Sequence, residues 1–529
     1  MFYKFILSGI LMLWISQISA QTLKTQMIPG PTITLPAARV QNDFILPDQK
    51  GGFISISAKR SGFLADPLTT EAYVSHFDTD MKLIKQKTFK LNKGAVKSDI
   101  KGAFVKHGRL HMVKLDKDLR HKAYFFRHLE GNIAKGLITY DSVFFKLNFI
   151  YPKTLVNLIV NPNSLFYQKM QYYTDVNYFY PKIWLVFSAH NRFFAIVYRD
   201  KKLTPVTYHI QVFNQNFESV YHHKISPLVL SPLFRIDDIK VSDKTGDVYL
   251  AAHFFKKDPF KKEFFTSFDN TKKIVIYHFN INEEDSYELK PKTVIDQIRL
   301  NLSKYVTVFG FYRHLPTDFN KIDGFYRLDL SPKLALLKQS YISFDHQLID
   351  VPSKYLSAKH KNLWLVIRKH FFLPDGSLLI NAEELYVPLV LAKRHREENV
   401  REFVGDIFAF RVTPNGKILW LKQIKKKQVV KPRLATHSFF STYIQAAKYN
   451  FMAFTDSSVK VLNIKHVDNK SLIGLKISTD GNLQTGILWN KKRNRFRFMP
   501  IEGTMIDKHT AIIPAKNHAY LKYYKLIFH

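Results

Sequence analysis

The 529-residue sequence contains no cysteine. The absence excludes disulfide bonds, thiolate-bound metal ions, a thiol nucleophile and a lipid-modified N-terminal cysteine. Exported eukaryotic domains often carry disulfides, whereas a cysteine-free chain must be stabilised by its hydrophobic core alone. Hydrophobic residues make up 46% of the sequence, which is enough for a large core.

Helical periodicity is scarce. Residues 300–305 are compatible with a short helical turn, and residues 387–403, the best longer candidate, are better interpreted as a charged excursion between two strands. A parallel sheet needs crossover connections, usually helices, between its strands. The sequence therefore disfavours helix-rich and α/β folds.

Catalytic and metal-binding motifs are also missing. The sequence has no Gly-x-Ser-x-Gly elbow, no phosphate-binding loop and no His-Glu-x-x-His or His-x-His spacing. Adjacent acids occur at 237–238, 283–285, 383–384 and 397–398. Neighbours on a strand point to opposite faces, so adjacency alone makes no pair of carboxylates for glycoside hydrolysis. We predict no catalytic residue, no metal site and no cofactor.

Only the N-terminus carries a long apolar run. A short basic start at residues 1–4, an apolar stretch at 5–18 and small residues before Gln21 predict a signal peptide over residues 1–20. The alternative is a membrane anchor, but the stretch is short and contains Ser8, Ser16 and Gln17. We expect an exported chain without a transmembrane segment, located in the periplasm, on the cell surface or outside the cell. The lack of cysteine favours a bacterial source.

Acidic residues are outnumbered. Lys and Arg total 79 against 43 Asp and Glu, which gives a formal net charge of +36. Such a field attracts polyanions, although surface lysines also provide solubility and protect sheet edges. An exported chain without a nucleic-acid motif points away from nucleic acid. Anionic polysaccharide or another envelope protein is the expected partner; the oligomeric state is left open.

What the sequence does have is a recurrent hairpin pattern. A β-rich run, a turn of Asp, Asn or Gly, and a second β-rich run recur at 241–250, 372–380, 412–420 and 477–483, with looser copies at 77–83 and 213–217. Asp-Gly and Asn-Gly suit tight hairpins because both residues tolerate positive φ. The pattern predicts a repeating antiparallel sheet.

The strands between the turns are of two kinds. Segments such as 53–57 and 273–279 alternate apolar and polar residues, which is typical of half-buried strands. Residues 183–187 and 363–367 are continuously apolar and predict inner strands buried on both faces. A propeller blade of four strands takes about 40–50 residues. We predict an all-β fold, a β-propeller of seven or eight irregular four-stranded blades over residues 43–529, after an extended lead-in at 21–42. Tandem β-sandwiches are the alternative.

Residues 363–456 carry a resemblance. The runs 364–367, 373–380 and 382–386 precede an insert, and 405–420 then brings an Asp-Ile strand, an Asn-Gly turn and Trp420 before the Lys-Gln segment 422–428. This arrangement resembles a group of uncharacterised exported propeller-like proteins of Gram-negative bacteria. The insert is basic here, where that group has aromatic residues. The resemblance implies fold and export, and it implies no activity.

Two basic motifs are candidate binding sites for an anion. The first comprises Lys491, Lys492, Arg493, Arg495 and Arg497. Arginines at 495 and 497 alternate with phenylalanines, so a strand would place guanidinium groups on one face. The second comprises Lys425, Lys426 and Lys427. For both motifs the alternative is a solvated basic edge without a ligand.

Three functions follow from this sequence. The leading hypothesis is a non-enzymatic binding or scaffold protein of the bacterial envelope, with an anionic glycan or an envelope protein as ligand. The second is a propeller-fold polysaccharide hydrolase or lyase, which requires converging carboxylates or a His with Tyr or Arg. The third is a structural subunit of an envelope complex.

Overall fold

The computed structural model is an eight-bladed β-propeller, as the hairpin pattern predicts, and the tandem-sandwich alternative is wrong. It describes residues 23, 25–35, 40–61, 68–91, 96–118, 120–132, 137–148, 159–160, 183–199, 207–229, 233–256, 271–290, 293–295, 298–313, 322–344, 363–386, 402–424, 426, 428–430, 441–445, 449–455, 471–489, 496–517 and 520–528. The predicted signal peptide lies outside these residues. Within them, no helix is long and apolar enough to cross a membrane.

The first four blades each contain four antiparallel strands in chain order. Blade 1 contains β2 (Val40–Pro47), β3 (Phe53–Ser61), β4 (Leu68–Phe77) and β5 (Leu83–Lys90). Blade 2 contains β6 (Val96–Lys106), β7 (Arg109–Asp118), β8 (Ala123–Asn132) and β9 (Leu137–Asn148). Blade 3 contains β11 (Ile183–Phe187), β12 (Phe193–Arg199), β13 (Tyr208–Asn214) and β14 (Ser219–Ile225), with β10 (Ile159–Val160) added in parallel to β11. Blade 4 contains β15 (Phe234–Val241), β16 (Val248–Phe255), β17 (Thr271–Phe279) and β18 (Glu284–Leu289).

The other four blades follow the same order. In blade 5, β19 (Val294–Ile295) and β20 (Arg299–Leu302) share the first position, before β21 (Val306–Arg313), β22 (Gly324–Leu330) and β23 (Leu336–Ser343). Blade 6 contains β24 (Leu363–Phe372), β25 (Leu378–Tyr386), β26 (Glu402–Val412) and β27 (Ile418–Ile424), with β28 (Gln428–Val430) paired to β26. Blade 7 contains β29 (Ser441–Gln445), β30 (Tyr449–Thr455), β31 (Leu472–Ser478) and β32 (Leu483–Trp489).

Blade 8 closes the ring with both ends of the chain. Its strands are β33 (Arg497–Phe498) with β34 (Thr504–Met505), then β35 (Thr510–Asn517), β36 (Tyr520–Phe528) and, as the outermost strand, β1 (Thr25–Thr34). Strand β1 pairs antiparallel with β36 from Thr25 opposite Phe528 to Thr34 opposite Tyr520. The segment 21–42, expected as a lead-in, therefore supplies the outer strand of the last blade and the start of the first.

The hydrophobic core is divided among the seams between blades. Eight clusters of buried apolar side chains occur among the described residues, and each joins two neighbouring blades. The cluster between blades 8 and 1 includes Ile33 of β1, so the N-terminal strand is packed as well as hydrogen-bonded. The continuously apolar runs 183–187 and 363–367 lie in β11 and β24, inner strands of their blades as predicted; only the two-residue β10 lies inside β11.

The predicted hairpin turns all lie on one face of the ring, here called the tight-turn face. Innermost strands run in the same direction around a propeller, so turns from first to second strand and from third to fourth strand emerge on the same side. Gly246, Gly376, Gly416 and Gly481 occupy these turns with φ between +76° and +88°. Residues 300–305, predicted as a possible helical turn, instead form part of β20 and its turn into β21.

Candidate functional site

The innermost strands carry charged residues at one recurring position. Strands β2, β6, β15 and β24 each contain a bulge, and the extra residues are Asp43, Lys101, Asp237 and Arg368. Each bulge lies five residues before the residue that opens the next hairpin, namely Asp48, Lys106, Ser242 and Leu373. Apart from one bridge between β6 and β4 at Ser98, the described residues of these four strands pair on one edge only, so an extra residue disrupts pairing on one side. The bulges therefore place buried charges at one level near the axis.

The bulge of β15 organises the first half of the candidate site. Arg235 Nε donates to Asp237 Oδ1 at 2.7 Å, and Nη2 lies 3.3 Å from His253 Nδ1. The same His253 nitrogen contacts Asp237 Oδ2. The guanidinium carbon lies 5.3 Å from the ring centre of Phe255, a cation–π distance. Arg235 is thereby fixed in orientation by a carboxylate, an imidazole and a phenyl ring.

The electrostatics of Asp237 confirm that cations dominate here. Burial alone would raise the pKa of this carboxyl, but the charges of Arg235, His253 and Arg299 leave its pKa below the usual value. Asp237 is therefore ionised at neutral pH and compensates part of the surrounding positive charge.

The second acid of the pair connects blade 4 to blade 5. Asp238 Oδ2 accepts a hydrogen bond from the Leu300 backbone N–H at 2.8 Å. Its Oδ1 accepts from the Ile239 N–H at 2.9 Å and lies 3.7 Å from Lys240 Nζ. The side chain of Lys240 is 34% exposed. Asp238 thus links the innermost strands β15 and β20 through its hydrogen bonds.

Blade 6 brings a further cation to the same place. Lys369 immediately follows the β24 bulge and retains solvent contact. Burial is the main cause that lowers its pKa, and the charge of Lys240 lowers it further. Lys240 of blade 4 therefore acts electrostatically on Lys369 of blade 6.

His370, which is half-buried, follows Lys369 in the same strand. Burial is again the largest cause, and Lys240, Arg299 and Lys369 add to it, holding the pKa of His370 well below its usual range. The ring is therefore neutral at pH 7, and it packs edge-on against Phe309 with centroids 4.8 Å apart.

Together these side chains form what we call the channel cluster: Arg235, Asp237, Asp238, Lys240, His253, Arg299, Lys369 and His370. Its four cations (two arginines and two lysines) outnumber its two carboxylates, and both carboxylates already accept hydrogen bonds from the protein. Lys240 and Lys369 both retain contact with solvent, so a dissolved anion can reach them. The arrangement is suited to holding a carboxylate, sulfate or phosphate group.

The paired acids of blade 6 have a structural role. The Glu383 side chain is fully buried and accepts hydrogen bonds from Arg368, at 3.0 Å, and from Lys426. Glu384 Oε2 accepts from the backbone N–H of Asp406 at 3.0 Å, and Asp406 Oδ1 accepts from the Lys426 N–H at 2.9 Å. These carboxylates hold strands together and do not converge on open space.

The sequence-predicted basic motifs fall mostly outside the described residues. This applies to Lys425, Lys427, Lys491, Lys492, Arg493 and Arg495. Lys426 is described, and its side chain is fully buried against Glu383, so it is unavailable as part of an exposed basic rim. Arg497 is exposed on β33 while the adjacent Phe498 is buried in the seam between blades 7 and 8.

Sequence reasoning missed the channel cluster. Its members lie in three blades, separated by up to 135 positions from Arg235 to His370, and no local spacing links them. Strict alternation predicts that the adjacent acids Asp237 and Asp238 point to opposite faces of their strand. The bulge at Asp237 breaks that alternation, and both acids reach the neighbourhood of β20.

No protein-family model matches the chain, and no curated protein matches it. Solved structures match the chain at low identity and low TM-score. A polysaccharide lyase, Uly1, is 9% identical with a TM-score of 0.35, over 81% of this chain and 89% of that one. Porphyromonas gingivalis dipeptidyl peptidase 4 is 8% identical with a TM-score of 0.36, over 92% and 65%. Drosophila Plexin A, solved with Semaphorin 1b, is 8% identical with a TM-score of 0.35, over 96% and 88%.

Proposed function

We propose that this protein is an exported, non-enzymatic binding propeller of the bacterial envelope, and that its channel cluster holds anionic groups of a polysaccharide. The observation that carries the proposal is the excess of cations over carboxylates among side chains of three blades that act on one another electrostatically. The high net charge of the chain supports it, because a field of that sign concentrates polyanions around the protein before they reach the site.

The energetic argument rests on like charges held close together. The lowered pKa of Lys369 indicates that its charged form is destabilised by burial and by Lys240. A bound anion reverses that destabilisation and provides acceptors for donors already fixed in orientation, such as the Arg235 guanidinium. Preorganised donors lose little conformational entropy on binding, which favours a specific site over diffuse attraction.

A hydrolase or lyase acting on polysaccharide is less well supported. Glycoside hydrolysis needs two carboxylates about 5–9.5 Å apart with access to substrate. In the described part of the chain, the candidates Asp237, Asp238, Glu383 and Glu384 are each bonded to cations or backbone N–H groups. They stabilise the fold around the channel cluster, and we assign them no catalytic role.

The test is a binding measurement with defined polymers. Heparin supplies sulfate and carboxylate groups, alginate supplies carboxylates only, and dextran is a neutral control. We expect heparin and alginate to bind and dextran to fail. The double variant K240Q/K369Q should weaken polyanion binding at least about tenfold, since charge-assisted hydrogen bonds each contribute roughly 1.5–3 kcal/mol.

The control variant removes the same charge elsewhere. Lys87 lies exposed on β5 and Lys508 in the exposed turn before β35, both outside the channel cluster. K87Q/K508Q should bind polyanions nearly as well as the unaltered protein, and the difference between the two double variants should persist at 0.5 M NaCl, where diffuse attraction is screened. Equal weakening by both pairs would show bulk charge without a site. Turnover of either polymer into shorter or unsaturated products would favour the enzyme instead.

A further inference from the structure

We propose that blade 2 contains a binding site for a zinc-class divalent metal ion, formed by His111, His128 and Glu130. The site is separate from the channel cluster and independent of the proposed function. The three side chains offer donor atoms that all lie within 4.8 Å of one another, and no other such group of three is found in the part of the chain that the structure describes.

The strand register explains how the three residues meet. His111 on β7 lies directly opposite Glu130 on β8, and His128 precedes Glu130 by two residues on the same face. The cross-strand pair of His111 with Glu130, together with His128 two residues away on the same face, brings three ligands together. The only local sequence signal is a His-x-Glu pattern within β8, which is too short to identify a metal site without its partner on the preceding strand.

The two imidazole rings already face each other. His111 Nδ1 lies 2.9 Å from His128 Nε2, with ring planes 13° apart. One nitrogen must carry the proton that the other accepts, so the pair presents one lone pair and one shared proton at the point between them. Replacing that proton by a metal ion needs a separation only slightly larger, because two ligands at about 2.0–2.1 Å from tetrahedral zinc lie roughly 3.4 Å apart.

Aromatic neighbours hold the rings in place. Phe104 stacks on His111 with centroids 5.1 Å apart, and Phe217 of blade 3 stacks on His128 at 3.8 Å. Burial lowers the pKa of His111, and burial followed by the charge of His111 lowers the pKa of His128 to about 4. Both rings are neutral at pH 7, which is the form that ligates metals.

Glu130 supplies the third ligand and the route to solvent. Its carboxylate is 18% exposed and pairs with Arg109, whose side chain is 59% exposed. Two imidazoles and one carboxylate suit zinc and leave a fourth position open to water or another ligand. Arg109 competes with the metal for the carboxylate, which provides a sensitive test.

The experiment uses the purified protein without a histidine tag, ZnCl₂ in isothermal titration, and Co²⁺ absorption as a reporter of ligand geometry. We expect one equivalent of Zn²⁺ to bind, and the Co²⁺-loaded protein to show the intense visible bands of a four-coordinate site. H111Q and H128Q should lose this equivalent. E130Q should weaken binding at least about tenfold, and R109Q should strengthen it severalfold by releasing Glu130.

The matched control is a second histidine pair. His209 Nδ1 and His222 Nε2 lie 3.1 Å apart in blade 3, in nearly the same ring arrangement. H209Q/H222Q should retain the equivalent. If the protein binds no stoichiometric Zn²⁺, or if E130Q and R109Q leave its affinity unchanged, the proposal is wrong. Because Glu130 and Arg109 are partly exposed, these two variants decide the question even if H111Q and H128Q fail to fold.

Discussion

In the buried ion pair of blade 6, removing the acid should destabilise the protein more than removing the lysine. The side chains of Glu383 and Lys426 are both fully buried, and Arg368 is 9% exposed beside them. One carboxylate therefore serves two cations. E383Q removes the carboxylate that both buried cations contact and should lower the free energy of unfolding by about 3–5 kcal/mol. K426M leaves Glu383 paired with Arg368 and should cost less than half as much.

Urea unfolding, followed by circular dichroism and tryptophan fluorescence, measures both variants. Coincident transitions for the two probes are required before free energies are compared, since a chain of this length can unfold through intermediates. The same proteins are then assayed for heparin binding. An E383Q loss below about 1 kcal/mol would refute the buried-pair argument. A K426M variant of normal stability that no longer binds heparin would show that Lys426 is a ligand-binding residue after all.

Three further predictions concern the site, the turns and the closure of the ring. Because the pKa of Lys369 is lowered, this lysine loses its charge at a lower pH than an ordinary lysine, and heparin binding should decline correspondingly early as the pH rises. K240Q should move that decline to higher pH. An unmoved profile would contradict the electrostatic coupling of Lys240 to Lys369. In the turn after β15, G246A should lower the free energy of unfolding by about 1–2 kcal/mol for the backbone, because φ is +80°, and further for a clash, because the added Cβ would lie 2.9 Å from Phe193. G108A, at φ +69° with open space around it, should lower it by the backbone contribution only. Equal shifts of the melting temperature would contradict this. Deleting β1 should expose the β36 edge and cause association, measured by light scattering, and a monomeric, equally stable product would argue against closure by the N-terminal strand.

Local sequence chemistry predicted the architecture because propeller hairpins are local. Gly376 and Gly416 follow Asp375 and Asn415 in tight turns as predicted, but only the glycines have positive φ, whereas a two-residue turn would need it at both positions. Local sequence did not determine the exact number of blades, because the inner strand of blade 5 is divided in two and the outer strand of blade 8 comes from the N-terminus. Pairing between β1 and β36 joins residues about 500 positions apart, and no local pattern indicates it.

The sites were less predictable than the fold, for physical reasons. Runs of Lys and Arg suggest binding motifs, yet Lys426 forms a buried ion pair with Glu383, 43 positions away. The channel cluster depends on the bulge at Asp237, which a strictly alternating strand does not anticipate. His111 and His128 become neighbours only through strand register, with Glu130 brought opposite by the same pairing.

The most direct test of the account is a crystal structure of the protein with a short sulfated or uronic-acid oligosaccharide. We predict an acidic group of the ligand within hydrogen-bonding distance of Lys369 Nζ and close to the Arg235 and Arg299 guanidinium groups, at the level of the strand bulges. A ligand bound only to lysines on the outer strands, with the channel cluster unchanged, would contradict the central claim.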